Sequence, residues 1–221
     1  MRYEIKGEPL PVAICYPVRG ESITTESGAM SWRSPDFKME TKAGGIGKAF
    51  GRMFSGESMF QNVYTATSDD QYIAFASSFP GAIKAIEITP NRPVICQKTA
   101  FLAATEGVDL SIHLQKKVGA GFFGGEGFIM NKLSGNGIAF VELDGSVYEY
   151  ELKAGEKLVI STGNLAYCDA TVDIGIQSVG GVKNALFGGE GLFNTVVTGP
   201  GKVVIQSMSR AEQVVKTQTN S

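Results

Sequence analysis

Apolar and polar residues alternate one for one through Val108, Leu110, Ile112 and Leu114, with Asp109, Ser111 and His113 between them. A period of two puts successive side chains on opposite faces of an extended chain, so this stretch predicts a half-buried β-strand. The pattern recurs at Val172, Ile174 and Ile176, and in shorter form at Phe37 and Met39. Gly135-Asn136-Gly137 and Gly199-Pro200-Gly201 lie between β-rich runs and predict hairpin turns. Helical spacing is confined to 45–54, where Ile46, Phe50, Met53 and Phe54 share a side, and to the tail near 210–216. The first of these carries an internal Gly51, which costs a helix about 1 kcal/mol against alanine. The expectation is an all-β chain.

A repeat organises these strands. Phe-x-Gly-Glu occurs as Phe54-Ser55-Gly56-Glu57, Phe123-Gly124-Gly125-Glu126 and Phe187-Gly188-Gly189-Glu190. The second and third copies are 64 residues apart (187 − 123), and the match continues without a gap to Val141 and Ile205. Upstream, 152–167 aligns on 17–32: Gly155 falls on Gly20, Glu156 on Glu21, Gly163 on Gly28 and Tyr167 on Trp32. The middle copy, 88–103, has Asn91 and Arg92 in place of the Gly-Glu pair. A fixed period of this kind marks copies of one supersecondary unit.

Three units follow, at 10–79, 81–143 and 145–208, joined at Pro80-Gly81 and Asp144-Gly145. The expectation is one all-β domain over 1–221, made of three β-sandwich or β-roll-like units of five or six short strands each. A unit of about 65 residues buries too little surface alone. The copies are therefore expected to pack on one another, and several chains around an axis would cover the sheet edges.

The composition narrows the chemistry. Of 221 residues, 43% are hydrophobic, which suffices for a core, and the net charge of −2 gives no overall pull toward nucleic acid or anionic lipid. Cys15, Cys96 and Cys168 are isolated in apolar surroundings and read as reduced thiols. The start MRYEIKGEPLP has no apolar core of a secretory signal, and no run reaches the roughly 18 apolar residues of a membrane span. A cytoplasmic protein is expected.

The single histidine, His113, sits on the polar face of its strand, and the equivalent positions are Gln177 and Lys42. That is the pattern of a solvated position rather than of an acid–base group. One histidine and three scattered cysteines cannot assemble a zinc site, and no metal is expected. Gly119-Ala120-Gly121-Phe122-Phe123-Gly124 satisfies G-x-G-x-x-G but leads into a strand, not a helix, which excludes a dinucleotide loop. Around Gly47-Lys48 a P-loop fails, with Lys42 for its first glycine and Ala49 for its Ser/Thr. No G-x-S-x-G elbow exists. Glu57, Glu126 and Glu190 are candidate acid–base groups or ligands. Threefold recurrence instead favours carboxylates that accept backbone N–H bonds at turns.

One charged pattern remains. Lys48 and Arg52, then Lys116 and Lys117, then Lys183 precede the three motifs, with Phe50, Phe122 and Leu186 beside them. Multiplied by symmetry, these cations would form a ring for a phosphate-rich partner or an anionic membrane surface. The competing reading leaves the lysines solvated.

The stretches GGIGKAFGRMFSGESMFQNVYTA, FFGGEGFIMNKLSGNGIAFVE and LFGGEGLFNTVVTGPGKV resemble the altered-inheritance-of-mitochondria (mitochondrial biogenesis) family in its compact bacterial form. The resemblance implies an all-β fold related to the tryptophan RNA-binding attenuator protein, with duplicated β units and trimeric assembly. Fungal relatives are linked to inner-membrane organisation and respiration. This chain has no Arg-rich presequence, so a mitochondrial role is not carried over. The family offers no catalytic residues to transfer, and the fold kinship does not bring RNA or tryptophan binding with it. The expected function is a non-catalytic structural or scaffolding homotrimer beside a membrane, with no cofactor, no small-molecule substrate and no nucleic acid. Two alternatives stand beside it: a ligand- or nucleic-acid-binding ring using the cations, and an enzyme with an acidic site.

Overall fold

The computed structural model describes residues 1–26, 28–43, 60–116, 128–178 and 193–209. The motif residues Phe54, Gly56, Glu57, Phe123, Gly125, Glu126, Phe187, Gly189 and Glu190 lie outside them, as do both stretches of helical spacing. The described residues are all-β, apart from one 3-10 turn at Lys98–Ala100. In chain order the strands are β1 (Arg2–Lys6), β2 (Val12–Tyr16), β3 (Ser22–Glu26), β4 (Trp32–Arg33), β5 (Phe37–Ala43), β6 (Phe60–Ala66) and β7 (Ile73–Ala76). Then come β8 (Gly81–Ile88), β9 (Val94–Gln97), β10 (Phe101–Thr105), β11 (Val108–Lys116), β12 (Phe128–Gly135) and β13 (Gly137–Asp144). The last are β14 (Val147–Leu152), β15 (Lys157–Ser161), β16 (Leu165–Asp169), β17 (Asp173–Ser178), β18 (Phe193–Thr198) and β19 (Gly201–Gln206).

These strands form two compact units, and both draw on 81–143. The first comprises Met1–Thr89, Thr99–Val108 and Gly135–Glu142. It has a four-stranded sheet, β1-β2-β7-β4, and a six-stranded one, β5-β6-β3-β10-β13-β8. Alternation along β2 and β7 sends Ala13, Cys15, Ile73 and Phe75 into the core, where they join Ile23, Tyr64, Ala103 and Phe140 of the larger sheet. Tyr3 on β1 adds an edge-on ring contact to Phe140, with centroids 5.1 Å apart. Phe37 packs against this core, but Met39, two residues along the same strand, is 51% exposed. Strand β5 is the sheet's edge, so its far end runs past the core that alternation alone would assign to it.

The second unit comprises Pro90–Lys98, Asp109–Ser134 and Leu143–Ser221. A six-stranded sheet, β11-β12-β9-β16-β19-β14, is joined by a three-stranded one, β15-β18-β17. Phe128, Met130, Ile95, Leu165, Cys168 and Val203 of the larger sheet form its core with Ile160 and Val197 of the smaller. Ile174 and Ile176, on the predicted alternating strand, pack against that core. Both predicted turns are present, Asn136 between β12 and β13 and Gly199-Pro200 between β18 and β19, but neither closes a hairpin. Strand β12 pairs with β11 and β9 while β13 pairs with β10 and β8, and β18 pairs with β15 and β17 while β19 pairs with β16 and β14, so each turn passes the chain from one sheet to another.

Candidate functional site

The predicted cation cluster falls largely outside the described residues. Lys48, Arg52, Lys117 and Lys183 are not among them, and Lys116 is the last residue of β11, its side chain outside the description. What is described is where these segments connect. They join β5 to β6, β11 to β12 and β17 to β18, and each of these strand pairs is hydrogen-bonded in its sheet. His113 is exposed on β11.

Two recurring acids can be followed atom by atom. Glu21 and Glu156 each follow a glycine in the left-handed region, Gly20 at φ 90° and Gly155 at φ 78°. Glu21 Oε2 accepts from the Val18 N–H at 3.0 Å, and Glu156 Oε2 from the Lys153 N–H at 2.8 Å. The Glu21 N–H donates to the Val18 carbonyl, and the Glu156 N–H to the Lys153 carbonyl, both at 3.0 Å. The Gly20 N–H donates to Ala66 O at 2.9 Å and the Gly155 N–H to Gly199 O at 3.1 Å. Ala66 and Gly199 return the bond to Glu21 O and Glu156 O, at 3.0 and 2.9 Å. Each carboxylate therefore closes its own turn by capping a backbone donor, which is the role that turn acids take beside glycine.

Sequence reading missed other groups. Glu142 is buried and accepts from the Ser78 N–H at 2.8 Å and the Ser77 hydroxyl at 3.3 Å. No alternation rule flags it, because its partners are 64 and 65 residues away. Cys15 and Cys168 are fully buried, and burial pushes both thiols up to about 12. Such thiols stay protonated and unreactive at neutral pH. Among the described residues no three of His, Cys, Asp and Glu gather as metal ligands would, and no helix is long and apolar enough to cross a membrane.

The family model described as mitochondrial biogenesis AIM24 matches residues 3–208. The chain belongs to that family. The AIM24 fold is also seen in a similar solved structure, the X-ray crystal structure of protein SPYM3_0169 from Streptococcus pyogenes. That protein is 25% identical, with a TM-score of 0.79 over 99% of this chain and 98% of the other. No protein of curated function matches the chain. Neither the AIM24 match nor this structural neighbour brings a catalytic residue to the turns described above.

Proposed function

We propose that this AIM24 protein is a non-catalytic structural protein of the cytoplasm, built from three tandem copies of one six-strand module and assembled as a homotrimer. The turn bonding at Glu21 and Glu156 supports the reading: these two acids, which recur in the first and third copies, are engaged by backbone donors, bond for bond. The pairing pattern supports the same module. Strand trios β2-β7-β4, β10-β13-β8 and β16-β19-β14 stand in one arrangement, and β5-β6-β3, β11-β12-β9 and β15-β18-β17 in another. Even a register shift recurs, between Phe101 and Ala103 on β10 and between Leu165 and Tyr167 on β16. Edge strand β14 presents Tyr148 and Tyr150 at 54% and 45% exposure, an apolar surface suited to a second copy. The basic segments, each set between paired strands, are in this reading the trimer's contact with an anionic membrane surface.

Native mass spectrometry is expected to give three times the 23.5 kDa chain mass, and the trimer should sediment with anionic vesicles at low salt only. A monomer at micromolar concentration would remove the assembly from the proposal. Replacing both turn acids, Glu21→Gln and Glu156→Gln, should lower stability by under about 1 kcal/mol per turn, since the bonds are solvent-exposed. Full stability together with a lost activity would instead identify the acids as catalytic.

A further inference from the structure

The two turns just compared differ in one respect. Between the pair closed at Glu156–Gly199 and the ladder pair Tyr150–Val203, the chain uses three residues, 200–202. Between Glu21–Ala66 and the corresponding pair Cys15–Ile73 it uses six, 67–72. The longer loop, Thr67-Ser68-Asp69-Asp70-Gln71-Tyr72, walls a cleft of about 470 Å³ in the first compact unit. It is held there. Asp69 Oδ1 accepts from the Arg19 N–H at 2.9 Å, and Asp70 adopts φ 61°, a left-handed conformation that a non-glycine residue rarely takes.

The chemistry of the walls is also distinctive. Antiparallel register places Tyr16 and Tyr72 one step beyond the Cys15–Ile73 pair, on the sheet face opposite the core. The equivalent step in the other ladder carries Glu151 and Lys202, a solvated ion-bearing pair. Two aromatic rings thus stand where the chain's own second version keeps charges, and both line the cleft. Arg2 already stacks on Tyr16, its guanidinium carbon 3.7 Å from the ring centre, while Glu4 accepts from it at 2.9 Å. Gln71, also in the wall, is only 8% exposed; its amide nitrogen donates to Asp69 O, and its Oε1 has no partner. Glu21 and Asp70 add carboxylates to the lining.

We infer that this cleft binds a neutral saccharide, stacked on Tyr72 beside the Arg2-covered ring of Tyr16, with its hydroxyls held by Asp70 and Gln71. Planar acceptors and donors side by side match vicinal hydroxyl groups, which offer both functions, and tyrosine rings cover the apolar C–H face of a sugar. Phosphate-bearing ligands are disfavoured, because Asp70 opposes them and both cations of the lining are already paired, Arg2 with Glu4 and the Met1 ammonium with Glu21 at 3.5 Å. The cleft shares Glu21 with the turn described above, but the assignment does not rest on the structural role proposed there.

The single tryptophan reports on it. Trp32 pairs with Ala74, two residues from Tyr72 on the same face, and is 46% exposed. Titrating the full chain with millimolar neutral oligosaccharides of glucose, galactose and N-acetylglucosamine should shift or quench its emission for at least one of them. Asp70→Gly keeps the left-handed turn and removes the carboxylate, so it should fold normally and weaken that binding by about tenfold or more. Tyr72→Ala should do the same by calorimetry. An unchanged spectrum with all three sugar classes overturns the assignment. So does binding that both variants leave intact, or tighter binding of polyuridylate than of any saccharide.

Discussion

Between pH 9 and pH 12 the protein is expected to unfold, driven by two thiols that the fold keeps from ionising. In the unfolded chain Cys15 and Cys168 ionise near their ordinary value of 9.0, whereas burial in the folded protein pushes each up to about 12. Over that window the unfolded state binds fewer protons than the folded one, so stability falls as pH rises. Below pH 9 the full contribution is present. A gap of three pH units is worth about 4 kcal/mol per thiol, or about 8 kcal/mol for the pair. That is comparable with the whole stability of a typical protein, about 5–15 kcal/mol. Tyr167 acts in the same direction: burial, helped by the Glu149 charge, raises it from 10.0 to about 12.

Urea unfolding at a series of pH values measures the slope, and Cys15→Ala with Cys168→Ala isolates its source. The double variant should be less stable at neutral pH, through lost core packing. Above pH 9 its profile should be distinctly flatter. An alkaline slope equal to the wild type's would assign the loss to other groups and refute the thiol account.

Much of this fold was legible because alternation encodes which face a residue takes. Val172, Ile174 and Ile176 reached the core as their spacing required, and the glycine-bearing turns ended strands where they were expected to. Pairing partners were not legible. The face code does not say which strand lies alongside, and nothing in β3 or β9 announces that they pair with β10 and β16. Strand β1 escaped for another reason. Arg2, Glu4 and Lys6 make its outer face wholly charged, and it pairs along β2 outside the repeat. The acids at Glu21 and Glu156 were visible as recurring residues, but the bonds that engage them depend on where the turn closes. Tyr16 and Tyr72 were invisible as a pair, since 56 residues separate them (72 − 16) and only the sheet register brings them together.

Gly107→Ala should be among the most damaging small substitutions in the chain, at about 3 kcal/mol. Gly107 has φ 93°, and a Cβ there would stand 2.5 Å from the Asn136 carbonyl oxygen. The first problem costs an alanine about 1–2 kcal/mol and the second adds an overpacking cost of about 1–3 kcal/mol. Neither can relax independently. The Asn136 N–H donates to Gly107 O at 2.9 Å, so the β10–β11 turn and the β12–β13 turn are locked to each other at this point. The lock is tight on its other side too: a Cβ on Gly137 would lie 2.5 Å from Thr105 Oγ1, which accepts from the Ile138 N–H.

Sixty-four residues on, the same contact is met differently. Thr171 stands where Gly107 does, and Gly201 (φ 138°) leaves the room, since a Cβ on it would lie 2.6 Å from Thr171 Oγ1. Gly20→Ala is the internal control. Gly20 also has a positive φ, 90°, but nothing lies within 4 Å of its missing Cβ, so it should cost only the backbone term, about 1 kcal/mol. Chemical denaturation of the two variants gives the difference directly. Equal losses would mean that the Gly107–Asn136 approach is not close in solution, and that the two turns are held by their strands rather than by each other.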